Sequence, residues 1–355
     1  MNSIHSTGFP VFDGHNDTLL RLYTARESGI DLNFFQAQPD LHIDAVKALE
    51  GGFSGGFFAM FTPSAKRGRR LGFSLSTPEK GGAITTQRAL EYTHAMIDVA
   101  EKLVKRSKGA AKICTSANDI RSALKANVMA MVLHIEGAEA IGEDFAFLDE
   151  LYQRGLRSIG PVWSRDNQFA KGVPFTFPGL PDQGHGLSGL GKELVRICNA
   201  KGIVLDLSHL NEKGFRDIAK LSEHPLVATH SNAHALCPSP RNLTDSQLDA
   251  IAQSKGVVGL NFACGFLRKD GSHRNDDVPM QVLISHLDYL IEKLGEDGVA
   301  LGSDFDGCTV PRQIGDCSGL PVLISAMQKA GYGSELIVKI TSGNWISLLE
   351  RTLKN

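Results

Sequence analysis

The sequence has no paired cysteines. Its six, Cys114, Cys198, Cys237, Cys264, Cys308 and Cys317, are scattered without CxxC spacing, which excludes a disulfide framework and points to reduced thiols in a cytoplasmic protein. An excess of either charge is missing too. With 37 basic and 39 acidic residues and a net charge of −2, there is no electrostatic case for nucleic acid or an anionic membrane as the main partner. No apolar run approaches the ~18 residues that a spanning helix needs. No basic residue or apolar core precedes Arg21, so neither a membrane span nor a secretory signal is expected. The one basic cluster, Lys66, Arg67, Arg69 and Arg70, sits in a Gly/Ser/Pro-containing stretch and reads as a solvated loop.

What is present suits a large folded core: 42% hydrophobic and 21% charged residues over 355 positions. Short apolar runs rich in β-branched residues or glycine alternate with longer helical patterns. The runs fall at 9–12, 52–60, 128–135, 156–163, 203–207, 226–229, 257–262 and 299–302. Helical patterns fall at 41–50, 85–105, 145–154, 192–201, 212–221, 245–254 and 278–294, with a further pair over 320–353. Thr244-Asp245-Ser246-Gln247 and Ser334-Glu335 offer caps or acidic first turns. Continuous apolar strands, each followed by a helix, predict a parallel sheet covered by helices. Eight such repeats predict a closed (β/α)8 TIM-type barrel, a single domain over 1–355. A doubly wound open sheet is the rival, but where it usually carries a Gly-rich phosphate loop this chain has DGHNDT. Insertions at 62–82 and 164–191 follow the second and fourth runs. Both lie on the face where barrel enzymes build their sites, and they read as covers over a pocket.

Polar residues recur where these strands end. His15 and Asp17 follow the first, Glu136 the third, His209 the fifth, His230 the sixth and Asp304 the eighth. Residues two apart in an extended strand share a face, so His15 and Asp17 form a half-site for a divalent ion such as zinc. Barrel geometry gathers strand ends around one axis. Three imidazoles and two carboxylates suit two ions bridged by Glu136, with His15 and Asp17 on one side and His209 and His230 on the other. Two ions ~3.5–4 Å apart share a water and lower its pKa toward ~7. Asp304 is left as a base. His134 reads as a hydrogen-bonded core histidine, Asp206 as a support to the site, and Asp306 as part of an Asp-Gly turn. His234 is a weak rival ligand. His42, His273 and His286 are among the histidines with no organised context.

These residues resemble the renal (membrane) dipeptidase family of the amidohydrolase-like metal-dependent barrels. The likeness spans nearly the whole chain: DGHND at 13–17, IEGAEAI at 135–141 with Leu148, Tyr152 and GLR at 155–157, LDLSH at 205–209, THS at 229–231, RN at 241–242 and GSDFDG at 302–307. It implies a binuclear zinc dipeptidase of small dipeptides, with a D-residue at the C-terminal position among its expected substrates. His15, Asp17, Glu136, His209 and His230 would hold two zinc ions. Asp304 would move the proton to the leaving amine, and Arg241 would hold the substrate carboxylate. A homodimer is also implied.

Two positions depart from better-known relatives. Trp163 stands where a histidine usually polarises the scissile carbonyl, and could donate only through its indole NH. Glu139 stands where relatives often have histidine. The departure at Trp163, a substrate-contacting position, motivates a second reading, hydrolysis of N-acyl amino acids or related amides. A third, a catalytically silent metal-binding protein, is disfavoured by the intact ligand set and Asp304.

Overall fold

A computed structural model describes residues 8–64 and 82–354. The basic cluster at 66–70 and most of the 62–82 insertion lie outside the described residues. Among the described residues nine strands run parallel to their neighbours: β1 (Val11–Asn16), β2 (Phe53–Phe61), β3 (Ala111–Ile113), β4 (Met129–Glu136), β5 (Leu156–Gly160), β6 (Val204–Leu205), β7 (Val227–Ala228), β8 (Val257–Leu260) and β9 (Val299–Leu301). This is an α/β fold with a curled parallel sheet. Six strands form one sheet in the order β1-β2-β4-β5-β6, with β3 alongside the start of β4, and β7-β8-β9 form another.

One continuous eight-stranded ring was the expectation from sequence; hydrogen-bonded pairing among the described residues gives these two sheets instead. Single bridges, Asp206–Val227 and Asn16–Phe305, join their edges. The physical reason is the same at both junctions, where a buried aspartate side chain takes a backbone N–H that a ladder carbonyl would otherwise accept. Asp206 Oδ1 accepts from Thr229 N at 2.8 Å. Asp13 Oδ1 accepts from Ser303 N at 2.7 Å, and Asp13 Oδ2 from Ser303 Oγ at 2.8 Å.

All eight predicted strands are present, and β3 is an addition. Three residues, of which only Ala111 is buried, are too few to show a period. β1 extends to Asn16, beyond the predicted 9–12, because the polar residues Asp13, His15 and Asn16 are all buried within it. The predicted helix at 212–221 matches Glu212–Leu221. Thr244 and Gln247 form a capping box at the start of Asp245–Gln253. Helices Thr18–Glu27, Ala117–Lys125 and Cys264–Leu267 were not predicted. Among the described residues no helix is long and apolar enough to cross a membrane.

Most helices bury one apolar face on the outside of the strands, in a cluster that runs from Val11 to Ile340. A second cluster gathers Phe12, Phe57, Val132, Val257, Ala300 and Trp345. Trp345, from the helix Asn344–Thr352, is fully buried; its Nε1 donates to Leu301 O at 2.8 Å and its ring lies 5.3 Å from Phe57. Backbones approach closely here. A Cβ on Gly14 or Gly259 would overlap the carbonyl oxygen of Thr229 and press on the Trp345 ring. Gly259→Ala is therefore expected to destabilise the protein by about 2 kcal/mol, the usual scale of overpacking a dense core, measured as a lower Tm. A Tm equal to that of the parent chain would show that this contact can relax.

Candidate metal centre

Asn16 turns the chain at the end of β1. Its side chain donates to Phe57 O at 3.1 Å and accepts from Thr18 N at 3.3 Å, so the next helix starts at once and Asp17 comes back beside His15. His15 Nε2 lies 3.7 Å from Asp17 Oδ2 and 3.8 Å from Glu136 Oε1. Glu136 is the last residue of β4, and its Oε1 is 2.9 Å from His209 Nε2 and 3.5 Å from His230 Nε2. The latter two nitrogens are 3.1 Å apart, and the His15 and His230 rings stack at 3.9 Å. Three imidazoles are thus gathered around one carboxylate oxygen with Asp17 beside His15, and all five residues expected to hold metal are buried.

Supporting bonds fix how the imidazoles face this point. Thr229 Oγ1 donates to Asp206 Oδ2 at 2.6 Å, so it is free to accept from His230 Nδ1 at 2.8 Å. That places the His230 lone pair on Nε2, toward Glu136. Asp206 is itself held by Ser208 Oγ at 2.6 Å. His209 Nδ1 lies 2.8 Å from Ser164 Oγ. By contrast, both nitrogens of His15 and Oδ1 of Asp17 are buried with no hydrogen-bond partner. Buried polar atoms left in this state are costly. A divalent cation would satisfy one nitrogen of His15 together with Asp17 Oδ1, and nitrogen plus carboxylate donors suit zinc or a similar borderline ion. His15, Glu136 and His230, and separately His15, Asp17 and Asp304, place ligand atoms within 4.8 Å of one another.

The electrostatics fit the same conclusion. Burial pushes Glu136 up to about 8 and Asp304 up to about 6, each opposed by His15. Burial also drives His209 and His230 well below the ordinary imidazole range. For His15, burial is outweighed by Glu136, Asp17 and Asp304, which raise it to about 10. Carboxylates crowded in this way favour any cation placed among them.

Asp304 adopts a left-handed φ of 58°. Its N–H donates to His15 O at 3.0 Å, and its Oδ2 accepts from Asn261 Nδ2 at 3.1 Å. A Cβ on Gly307 would collide with the carboxylates of Asp17 and Asp304, so glycine there leaves room for both. Arg241 is buried; its Nη1 donates to Ser208 O and its Nη2 to His230 O at 3.2 Å, while Nε has no partner. Nε and the second Nη2 proton are the donors left for a ligand. The buried Trp163 ring lies 5.9 Å from His209, 5.0 Å from Phe61 and 5.2 Å from Phe175. Phe175 in turn stacks on Phe266 at 6.2 Å, with the Arg241 guanidinium 5.1 Å from the Phe266 ring. An aromatic wall thus borders the centre.

Other expectations divide. His134 is a core histidine bonded to Ser158 Oγ at 2.9 Å, and His234 lies apart, 2.8 Å from Gly179 O. Asp306 is structural, accepting from Thr18 Oγ1 at 2.7 Å and from His42 N at 2.6 Å. His42 has an organised context after all, because its Nδ1 accepts from Asp306 N at 2.9 Å. Ser164, Asn261, Thr229 and Gly307 were not foreseen. Only Thr229 and Gly307 carried a signal, as members of the THS and GSDFDG runs.

Burial lowers the pKa of His42 from 6.5. The unfolded chain therefore takes up a proton at this residue before the folded chain does. Its contribution is intact above about pH 6.5 and is lost as pH falls below it. His42→Gln is expected to flatten the decline of Tm between about pH 6.5 and 5; an unchanged slope would place the sensitivity elsewhere.

Comparison with known proteins bears on the chain as a whole. A model of the family described as membrane dipeptidase (peptidase family M19) matches residues 2–355. A metallo peptidase from Rhodobacter sphaeroides, crystallised with a phosphinate mimic of the dipeptide L-Ala-D-Ala, is 47% identical, with a TM-score of 0.90 over 97% of this chain and 99% of that one. A Klebsiella pneumoniae protein described only by its place in the pqqA 5′ region is 48% identical over 71% of this chain and 93% of its own length. A Schizosaccharomyces pombe chain named as an uncharacterized dipeptidase is 31% identical over 96% of this chain and 80% of its own. With the family match running over the chain that builds the centre, this protein belongs to the membrane dipeptidase family, peptidase family M19, and is a metallo-dipeptidase.

Proposed function

We propose that this chain is a binuclear zinc dipeptidase that hydrolyses small dipeptides, including those with a D-residue at the C-terminal position. In this reading His15 and Asp17 would hold one ion and His209 and His230 the other, with Glu136 shared between them. The observation that carries it is the convergence of the His15, His209 and His230 imidazoles on Glu136 Oε1, with Asp17 beside His15 and its Oδ1 buried without a partner. When bound, the ions would supply Lewis acidity and bring the pKa of a shared water toward neutrality. Asp304, raised to about 6 and anchored by Asn261, accepts a proton near neutral pH and returns it to the departing amine. Arg241 offers Nε and Nη2 to the substrate carboxylate, and Trp163 with Phe175 excludes water on the other side. The R. sphaeroides relative, liganded with a mimic of L-Ala-D-Ala, supports the stereochemical part of the reading.

We also read the two sheets as one (β/α)8 barrel forming a single domain. The bridges at Asp206–Val227 and Asn16–Phe305 support it. A cytoplasmic location is supported by six buried, unpaired cysteines, and a homodimer stays an expectation from the resemblance. The aromatic wall keeps N-acyl amino acids as a second substrate class, since an acyl group could lie against it.

Three measurements test the reading. Exhaustive chelation is expected to abolish hydrolysis and lower Tm, and zinc titration to restore both at two equivalents per chain. Restoration at one equivalent would remove the bridge. Asp304→Asn is expected to lower kcat by about 10²- to 10⁴-fold with zinc content unchanged; near-normal turnover would remove Asp304 from its role. L-Ala-D-Ala is expected to be cleaved, and a panel in which only N-acyl amino acids react would move the assignment to the second class.

A further inference from the structure

The Glu139–Arg165 ion pair lies outside the proposed ligand set. The Arg165 guanidinium is fully buried, with Nε 2.6 Å from Glu139 Oε1. Its Nη2 donates to Thr62 O at 2.8 Å and its Nη1 to Ser64 Oγ at 3.1 Å. Its Cζ sits 5.3 Å from the Phe61 ring and 5.4 Å from the Trp163 ring. One side chain therefore ties together the segments that leave β2, β4 and β5. An ion pair buried this deeply stabilises no better than apolar side chains of the same size. Its hydrogen bonds all meet on Arg165, which closes the short run 163–165. Trp163 in that run flanks His209 at 5.9 Å, and Ser164 bonds His209 Nδ1 at 2.8 Å.

We propose that Glu139 and Arg165 act as a positioning pair, clamping residues 163–165 so that Ser164 orients the His209 ring and Trp163 walls the substrate side of it. This rests on reading His209 as part of the hydrolytic site. Arg165 touches neither the proposed ligands nor the substrate in this scheme; it acts through its two chain neighbours. The pair also accounts for the departure at Glu139, since a histidine there would leave the buried guanidinium without its carboxylate.

The test separates positioning from stability. In the zinc-loaded protein, Arg165→Met leaves Glu139 buried without a partner, and a large loss of Tm is expected. The double variant Glu139→Gln/Arg165→Met leaves no unpaired charge, so Tm is expected to recover. If the pair positions 163–165, kcat in the double variant stays at least about tenfold down with zinc content unchanged, as expected when a catalytic neighbour is displaced by a fraction of an ångström or more. Emission provides a second readout independent of activity. The chain has two tryptophans, and Trp163→Phe gives the Trp345 background. Trp163 emission in the double variant is expected to shift to the red and become more open to acrylamide quenching.

A double variant with recovered Tm, parental kcat and unchanged Trp163 emission would overturn the proposal. Should that variant not fold, Arg165→Lys carries the same test. It keeps the charge but cannot span three partners with a planar fork, so lowered kcat and altered Trp163 emission are expected, and parental values of both overturn the proposal. A parent chain that holds zinc yet cleaves no dipeptide counts against the proposed function, while the emission change still reports the clamp.

Discussion

Asp17, Glu136 and Asp304 are buried beside His15, His209 and His230, where little solvent screens their charges. Repulsion among the carboxylates, and the lack of partners for His15 and Asp17 Oδ1, set what the surrounding structure must do. Everything near them is arranged to hold acceptors together that would otherwise part. Asn16 folds the chain back, Gly307 leaves space for two carboxylates, Asn261 holds Asp304, and Thr229 and Ser164 bond the outer nitrogens of two imidazoles. Such preorganisation costs stability and is recovered when a cation binds.

The scaffold meets this demand from below. Trp345 and the close approach at Gly14 and Gly259 make a dense layer around the Thr229 carbonyl, one residue before His230. Packing there leaves little freedom for the strand exits above it. Stiffness in that layer is thereby transmitted to the ligand side chains.

Much of this was legible in the sequence because each expected ligand follows an apolar run, and such runs are read by composition alone. His15, Glu136, His209 and His230 all met where parallel strands place them. The limits of β1 were not legible, because buried Asp13, His15 and Asn16 look like a polar turn until their partners Ser303 and Phe57 are known. The same holds for His42, whose partner Asp306 is 264 residues away, and for Arg165, whose three hydrogen-bond partners come from segments up to 103 residues distant. Ser164 is an ordinary loop residue by sequence and Asn261 falls unmarked inside the apolar run 257–262; only the fold gives them a neighbour to orient.

The two side-chain junctions between the sheets have a mechanical meaning. At each, a carboxylate replaces part of a ladder, so these are the lines along which the sheets would separate first. His209 and His230 stand on opposite sides of the Asp206 junction, and His15 and Asp304 on opposite sides of the Asp13 junction. The ion proposed between His209 and His230 would staple the Asp206 seam. Metal occupancy and cohesion of the two sheets would then be one linked equilibrium, and the resistance of this fold to opening would be set by the free metal concentration around it.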